Sequence, residues 1–316
     1  MSFIEQMTGY ELKKWREQTP SVKRKTFELL ETAKVVDGTT GEDITGMFSI
    51  KPNLGSTLPQ HRQYKKRGDA IAQYNEEQGG FVFTFYNLSS HIDNDLTKAD
   101  LARLLFLATY LSYESNQLKF DNGTAITKKH MPELLGLKEQ AFRKFYKTVT
   151  ALGILIDNGA KVNMSADYFY KGTLPKTIKA QEIAYTRTYV NGIRELYKAY
   201  GTTRKAGQLG LLYLIIPYIH LETNILASNP KVQDSYEVEP LTLLEIATLL
   251  GYEPQKIART LTSVKLGDEF VFMITQVGKE KYVVVNPRIL WRADKVPNTS
   301  NTIDVLFQIK KRKSNS

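Results

Sequence analysis

Lys138, Gln140, Arg143, Lys144 and Lys147 fall on one side of a helical repeat. Phe142, Tyr146 and Val149 recur on the other side at i, i+4 and i+7. Ammonium and guanidinium groups neutralise phosphate oxygens, and a row of them on one helix face matches a polyanion rather than a small substrate. A second set sits further along the chain. Gln255, Lys256, Arg259, Thr262 and Ser263 belong to a helix over about 254–264 that opens on Pro254. Glutamine and arginine can pair bidentately with adenine and guanine edges, and hydroxyls suit phosphates. Lys161, Lys279 and Lys281 lie at hairpin turns, while Lys65, Lys66 and Arg67 and the run "KKRK" (310–313) form basic arms. The whole chain agrees in sign: 43 Lys and Arg against 33 Asp and Glu give +10 over 316 residues. Such a balance points to nucleic acid or an acidic membrane surface.

The elements around the first set explain the face. Thr127 is expected to cap a short helix with Met131, Leu134 and Leu135 inward. Gly136 then supplies a left-handed residue for a sharp exit, and a helix over about 138–150 follows. Two apolar runs around Asn158-Gly159 read as a β-hairpin. Helix, tight turn, second helix and hairpin together make a winged helix, whose second helix enters the DNA major groove. The competing reading is a pair of ordinary packed helices with a solvated basic face.

The plan occurs twice. Thr127 and Gly136 match Thr242 and Gly251 at an offset of 115 residues. "ADLARLLFLATY" (99–110) lies under "GQLGLLYLIIPY" (207–218) at 108, and "SADYFYKG" (165–172) under "NPRILWRA" (286–293) at 121. Missing such a repeat would misread the fold. The expected fold is mainly α with small β-hairpins (α+β): two tandem winged-helix domains, 81–175 and 186–294, after an N-terminal extension, 1–80. That extension reads as a helix over 11–35 with Phe27, Leu30 and Ala33 inward, a hairpin over 35–45 and a basic linker over 58–69. "FVFTF" (81–85) reads as a strand or a lead into the next helix. Thr97 is expected to cap a helix burying Leu101, Leu104, Leu105, Ala108 and Leu111, and 295–316 reads as a basic tail.

The order aromatic strand, apolar helix, "FRKFYKTVTALGIL", hairpin and closing strand resembles the winged-helix replication-initiator proteins of Gram-positive plasmids and phages, the RepL-like family. In that pattern the closing strand reads "NPxxFFxG"; "VNPRILWRAD" keeps its Asn-Pro, whereas the first copy has Ser165-Ala166. The resemblance implies double-stranded DNA binding at an origin or operator.

Enzyme chemistry finds little footing. Cysteine is absent, which excludes thiolate catalysis and Cys-ligated zinc. The four histidines, His61, His91, His130 and His220, show no metal-pair spacing, and there is no GxxxxGK[ST] phosphate loop. In "HIDND" (91–95), Asp93 and Asp95 are expected to cap a helix rather than hold a metal. No cofactor is expected. The most apolar stretch, 209–219, is too short to span a bilayer and carries Pro217, so a cytoplasmic protein is expected. Three functions remain: a replication initiator, a repressor or activator at operators, and a module that holds partner proteins. Replication or transcription proteins, and a second copy of the chain, are the further partners these imply.

Overall fold

Proline and threonine divide the helix expected over 11–35. In the computed structural model α1 spans Gly9–Glu17 and α2 spans Pro20–Thr32. Pro20 cannot continue a helix but suits its first turn, and the Thr19 side chain accepts from the Val22 N–H at 3.4 Å. The structure describes residues 9–48, 50, 52, 58–88, 91, 95–174, 184–234, 237–293 and 297. The chain doubles back over 35–44, as expected: Asp37 N–H donates to Glu42 and Ile44 N–H to Val35. The basic stretch 58–69, by contrast, is no linker. It belongs to a twenty-residue helix, α3, Leu58–Glu77. Its only proline stands in the first turn, and Gln, Lys, Arg and Ala are good helix formers, so polarity alone misled.

Two compact units divide the chain, Met1–Asp69 and Ala70–Ser316. The second mixes helix and strand. Its first half runs β1 (Phe81–Phe85), α4 (Lys98–Ala108), α5 (Met131–Leu135), α6 (Glu139–Ala151), β2 (Leu155–Asp157), β3 (Val162–Met164) and β4 (Phe169–Tyr170). Its second half runs β5 (Tyr185–Tyr189), α7 (Val190–Tyr200), α8 (Ala206–Leu209), α9 (Leu211–Leu214), α10 (Leu243–Leu249) and α11 (Pro254–Thr262). The strand pairs β6 (Lys265–Leu266)/β7 (Glu269–Phe270) and β8 (Phe272–Val277)/β9 (Glu280–Val285) follow, then β10 (Leu290–Trp291). We call the halves the first and second modules.

The modules share one antiparallel sheet, in the order β10-β5-β1-β4. β1 pairs with β5 through Phe83 opposite Arg187, so each module's first strand lies against the other's. On one face of the sheet Val82, Thr84, Thr186 and Thr188 are buried. α4 also packs on α8, and a single cluster of buried side chains runs from Val82 and Leu101 through to Ile289 and Leu290. Gly210 permits the close approach: a Cβ there would stand 1.9 Å from the Lys98 carbonyl oxygen. The two modules therefore sit in one unit with a common core.

Many hydrogen bonds recur between the modules. Asn116 and Asn224 both take left-handed backbone conformations, which asparagine tolerates. Asn116 Nδ2 donates to the carbonyls of Met164 and Phe169; Asn224 Nδ2 donates to those of Val285 and Leu290. Leu118 N–H bonds Val162, and Leu226 N–H bonds Val283. Each pair of partners stands at the offsets read from the sequence. α7 has no α-helical counterpart in the first module among the described residues.

Candidate nucleic-acid interface

The first turn–helix unit starts differently from its sequence reading. Thr127 does not cap α5 with its own side chain; His130 is the cap position, and its ring holds the preceding turn. Thr127 N–H donates to His130 Nδ1 at 3.1 Å, and Thr127 Oγ1 lies 3.2 Å from the same atom. In the second module Thr242 does cap α10, in a reciprocal box with Glu245. An imidazole nitrogen thus stands where a carboxylate stands in the other copy.

Gly136 has φ 61°, the left-handed value expected of it, and Leu137 N–H closes the turn on the Pro132 carbonyl at 2.9 Å. Gly251 does the same at φ 67°, with Tyr252 N–H on Ala247 at 2.8 Å. Both turns are held from the opposite module. Tyr197 donates its hydroxyl to the Leu135 carbonyl at 3.0 Å. Lys98 Nζ reaches the Leu250 carbonyl at 3.4 Å and lies 4.1 Å from the centre of the Tyr252 ring. Neither positioning residue is legible locally, because each lies dozens of residues from its target.

α6 buries Phe142, Phe145, Tyr146 and Val149. Phe145 extends the apolar face read from the sequence. Opposite it, Gln140, Arg143, Lys144 and Lys147 are exposed; Lys138, expected within the helix, is instead its exposed N-cap in extended conformation. Arg143 Nε pairs with Glu139 at 2.7 Å, and both side chains are mostly in solvent, so the pair is weak and easily exchanged for phosphate. Tyr146 donates its hydroxyl to Asp157 at 2.6 Å and ties α6 to the β2–β3 hairpin. That bond holds the Asp157 carboxyl below its ordinary range, while burial pushes the Tyr146 phenol up. Gly159 N–H also donates to Asp157, and Lys161 is exposed at the hairpin turn. Behind α6, Lys144 joins Asp95, Lys98, Asp100 and Arg103 around a cavity of about 580 Å³.

In the second module Gln255, Lys256 and Arg259 are exposed on α11, with Ile257 and Leu261 buried beneath. Lys256 pairs with Glu253 at 2.7 Å on the surface. Thr262 and Ser263 depart from the expected exposed face. Both are half-buried; Thr262 donates to the Ala258 carbonyl, and Ser263 donates to Gln208 Oε1 at 2.7 Å. Their hydroxyls satisfy the helix end and the α8 packing instead of facing outward. Lys205 Nζ donates to the Ser263 carbonyl at 2.9 Å, a cation at the helix C-terminus. Lys279 and Lys281 are exposed beside the β8–β9 turn, where Gly278 has φ 65°.

Lys65, Lys66 and Arg67 ride on the α3 backbone, their side chains outside the described residues, as are Asp93 and the run 310–313. Asp95 does not cap α4: Thr97 and Asp100 form that capping box, while Asp95 pairs with His91 at 3.3 Å. Among the described residues no group of three or more His, Asp or Glu is placed to hold a metal, and no helix is long and apolar enough to cross a membrane. Among the described residues, what the two helix faces offer is exposed cations and amides that are unpaired or held only in surface pairs. No protein-family model, curated protein or solved structure matches the chain.

Proposed function

We propose that the two modules are winged helices and that the chain is a non-catalytic, sequence-specific double-stranded DNA-binding protein. The observation that carries this is the repeated unit: a short helix, a left-handed glycine, a helix with an exposed polar face, and a hairpin. Lys138 at the N-cap of α6, the outward residues Gln140, Arg143, Lys144 and Lys147 on α6, and Gln255, Lys256 and Arg259 on α11 are the candidates for base edges and nearby phosphates. Lys161, Lys279 and Lys281 on the hairpins suit flanking phosphates. The resemblance to RepL-like initiators favours origin binding over operator binding. Fragments recovered from genomic and plasmid DNA would separate the two: origin sequences support an initiator, promoter-overlapping sequences a regulator. The underlying claim is tested by titrating a labelled duplex at several salt concentrations. Log affinity should fall linearly with log salt. Absence of salt-sensitive binding would remove the proposal.

One observation favours a second reading for part of the molecule. Leu244 and Leu249 on α10 are 59% and 48% exposed, where the first module has Lys129 and Leu134. An apolar outer face suits a protein partner better than phosphate. In that reading the first module binds DNA and the second holds a replication or transcription protein.

A further inference from the structure

The register of the central sheet carries information about the DNA that no single module holds. β1 and β5 are the first strands of their modules, and at an offset of 104 residues "FVFTF" (81–85) lies over "YTRTY" (185–189), so Thr84 corresponds to Thr188 and Phe83 to Arg187. In the antiparallel β1–β5 pair, Phe83 stands directly opposite Arg187, while Val82 faces Thr188 and Thr84 faces Thr186. Corresponding residues facing each other at one point, with the flanking pairs exchanged about it, define a local two-fold axis through the Phe83–Arg187 pair. The outer strands obey the same axis. Phe83 pairs with Tyr170 as Arg187 pairs with Trp291, and Thr84 pairs with Phe169 as Thr188 pairs with Leu290. α4 packs on its own counterpart, α8. Like packs on like, which is the isologous arrangement of a two-fold dimer and not the head-to-tail arrangement of a tandem array.

A two-fold axis in the protein has a definite consequence for its target. Reading helices related by such an axis meet duplex DNA in opposite directions, so they read inverted half-sites; helices related by translation read direct repeats. The reading surfaces then say which positions match. Gln140 and Gln255 correspond, are both exposed, and are each the second residue of their helices. Lys144 and Arg259 also correspond and are both exposed cations. Elsewhere the faces differ: Arg143 against Ala258, Lys147 against Thr262, Ala141 against Lys256.

Resting on the DNA-binding reading above, we infer that the target is an imperfect inverted repeat, identical at the base pairs met by Gln140 and Gln255 and different at most others. Glutamine's carboxamide accepts from adenine N6 and donates to N7, which makes adenine the shared base. The half-site centres lie about 10 base pairs apart, or a multiple of that.

The experiment is selection of bound duplexes from a randomised pool by the full chain, followed by the same selection with Gln140→Ala and Gln255→Ala. The expected result is two half-sites in inverted orientation with adenine at the matching position of each. Each variant should lose its preference at one of the two positions by roughly 5- to 150-fold, in opposite halves. Half-sites in direct orientation, or only one half-site, would overturn the inversion. An inverted site whose adenines survive both substitutions would overturn the glutamine assignment. Failure to retain any duplex would overturn the DNA-binding reading itself, which separates that failure from the other two.

Discussion

The hydroxyls of Thr84 and Thr188 lie 2.7 Å apart, both fully buried, and join the two modules at the middle of the shared sheet. They are corresponding residues of the two modules, so the bond runs between a position and its own repeat. Replacing either by Val leaves the other hydroxyl buried without this partner and should cost about 1–3 kcal/mol. Replacing both removes the polar pair and should cost less than the sum of the two singles. Urea midpoints of the two single variants and the double variant give the coupling. Additive losses would mean that the hydroxyls act independently.

The shared core makes a second expectation. β5 lies between β1 and β10, and Val82, Leu101 and Leu104 belong to the same buried cluster as Leu211, Leu212 and Ile289. Segments 76–180 and 181–316 produced separately should each lack dispersed amide signals and cooperative unfolding. Mixing them should restore both. A folded 76–180 on its own would show that the first module does not need its neighbour.

Gly136 and Gly251 share a left-handed φ but not their surroundings. A Cβ on Gly136 would lie 2.4 Å from Thr202 Cγ2, whereas one on Gly251 meets nothing within 4 Å. Gly251→Ala should therefore cost about 1–2 kcal/mol, the left-handed penalty alone. Gly136→Ala should cost more, and the excess should disappear when Thr202→Ser or Thr202→Ala accompanies it. Thermal unfolding of these four variants reads this directly; equal losses at the two glycines would rule out the Thr202 contact as a cause.

Asp157 gives a pH dependence with a definite sign. Its folded pKa is depressed, chiefly by the Tyr146 hydroxyl and then by the Gly159 N–H. Its contribution is therefore fully present above the unfolded value of about 3.9 and is lost as pH falls through the lower folded value. Asp157→Asn should flatten the stability profile below about pH 4. Tyr146→Phe should cost about 0.5–1.5 kcal/mol at neutral pH and remove part of the same slope. Denaturation midpoints at pH 3 to 7 supply the comparison, and an unaltered slope in Asp157→Asn would assign the acid sensitivity to other carboxylates.

Arg143 and Glu139 form an exposed pair on the α6 face. On the preferred duplex, Arg143→Ala should lose about 1–3 kcal/mol and relax selectivity. Glu139→Gln should bind slightly tighter, because it removes a competing carboxylate at little cost to the fold. Anisotropy titrations with preferred and scrambled duplexes separate loss of specificity from loss of general affinity. Arg143→Ala with unchanged selectivity would place base reading elsewhere on α6.

Features encoded within a few residues were readable in one dimension. The left-handed Gly136, the apolar spacing of Phe142, Tyr146 and Val149, and the turns at Asn158-Gly159 and Gly278 depend on local sterics and helical period, which neighbouring residues specify. The recurrence of those features was visible for the same reason. Pro20 should have divided the first helix by that logic, and polarity over 58–69 was a poorer guide than the helix-forming residues it contained. The rest rests on partners far apart in sequence. Nothing near Ser263 announces Gln208, nothing near Leu135 announces Tyr197, and nothing in "FVFTF" or "YTRTY" says that they pair with Phe83 opposite Arg187. A strand's edge is chemically much the same whichever strand it meets. The choice of partner, and with it the two-fold relation between the modules, was therefore made by collective burial of the apolar faces around α4 and α8.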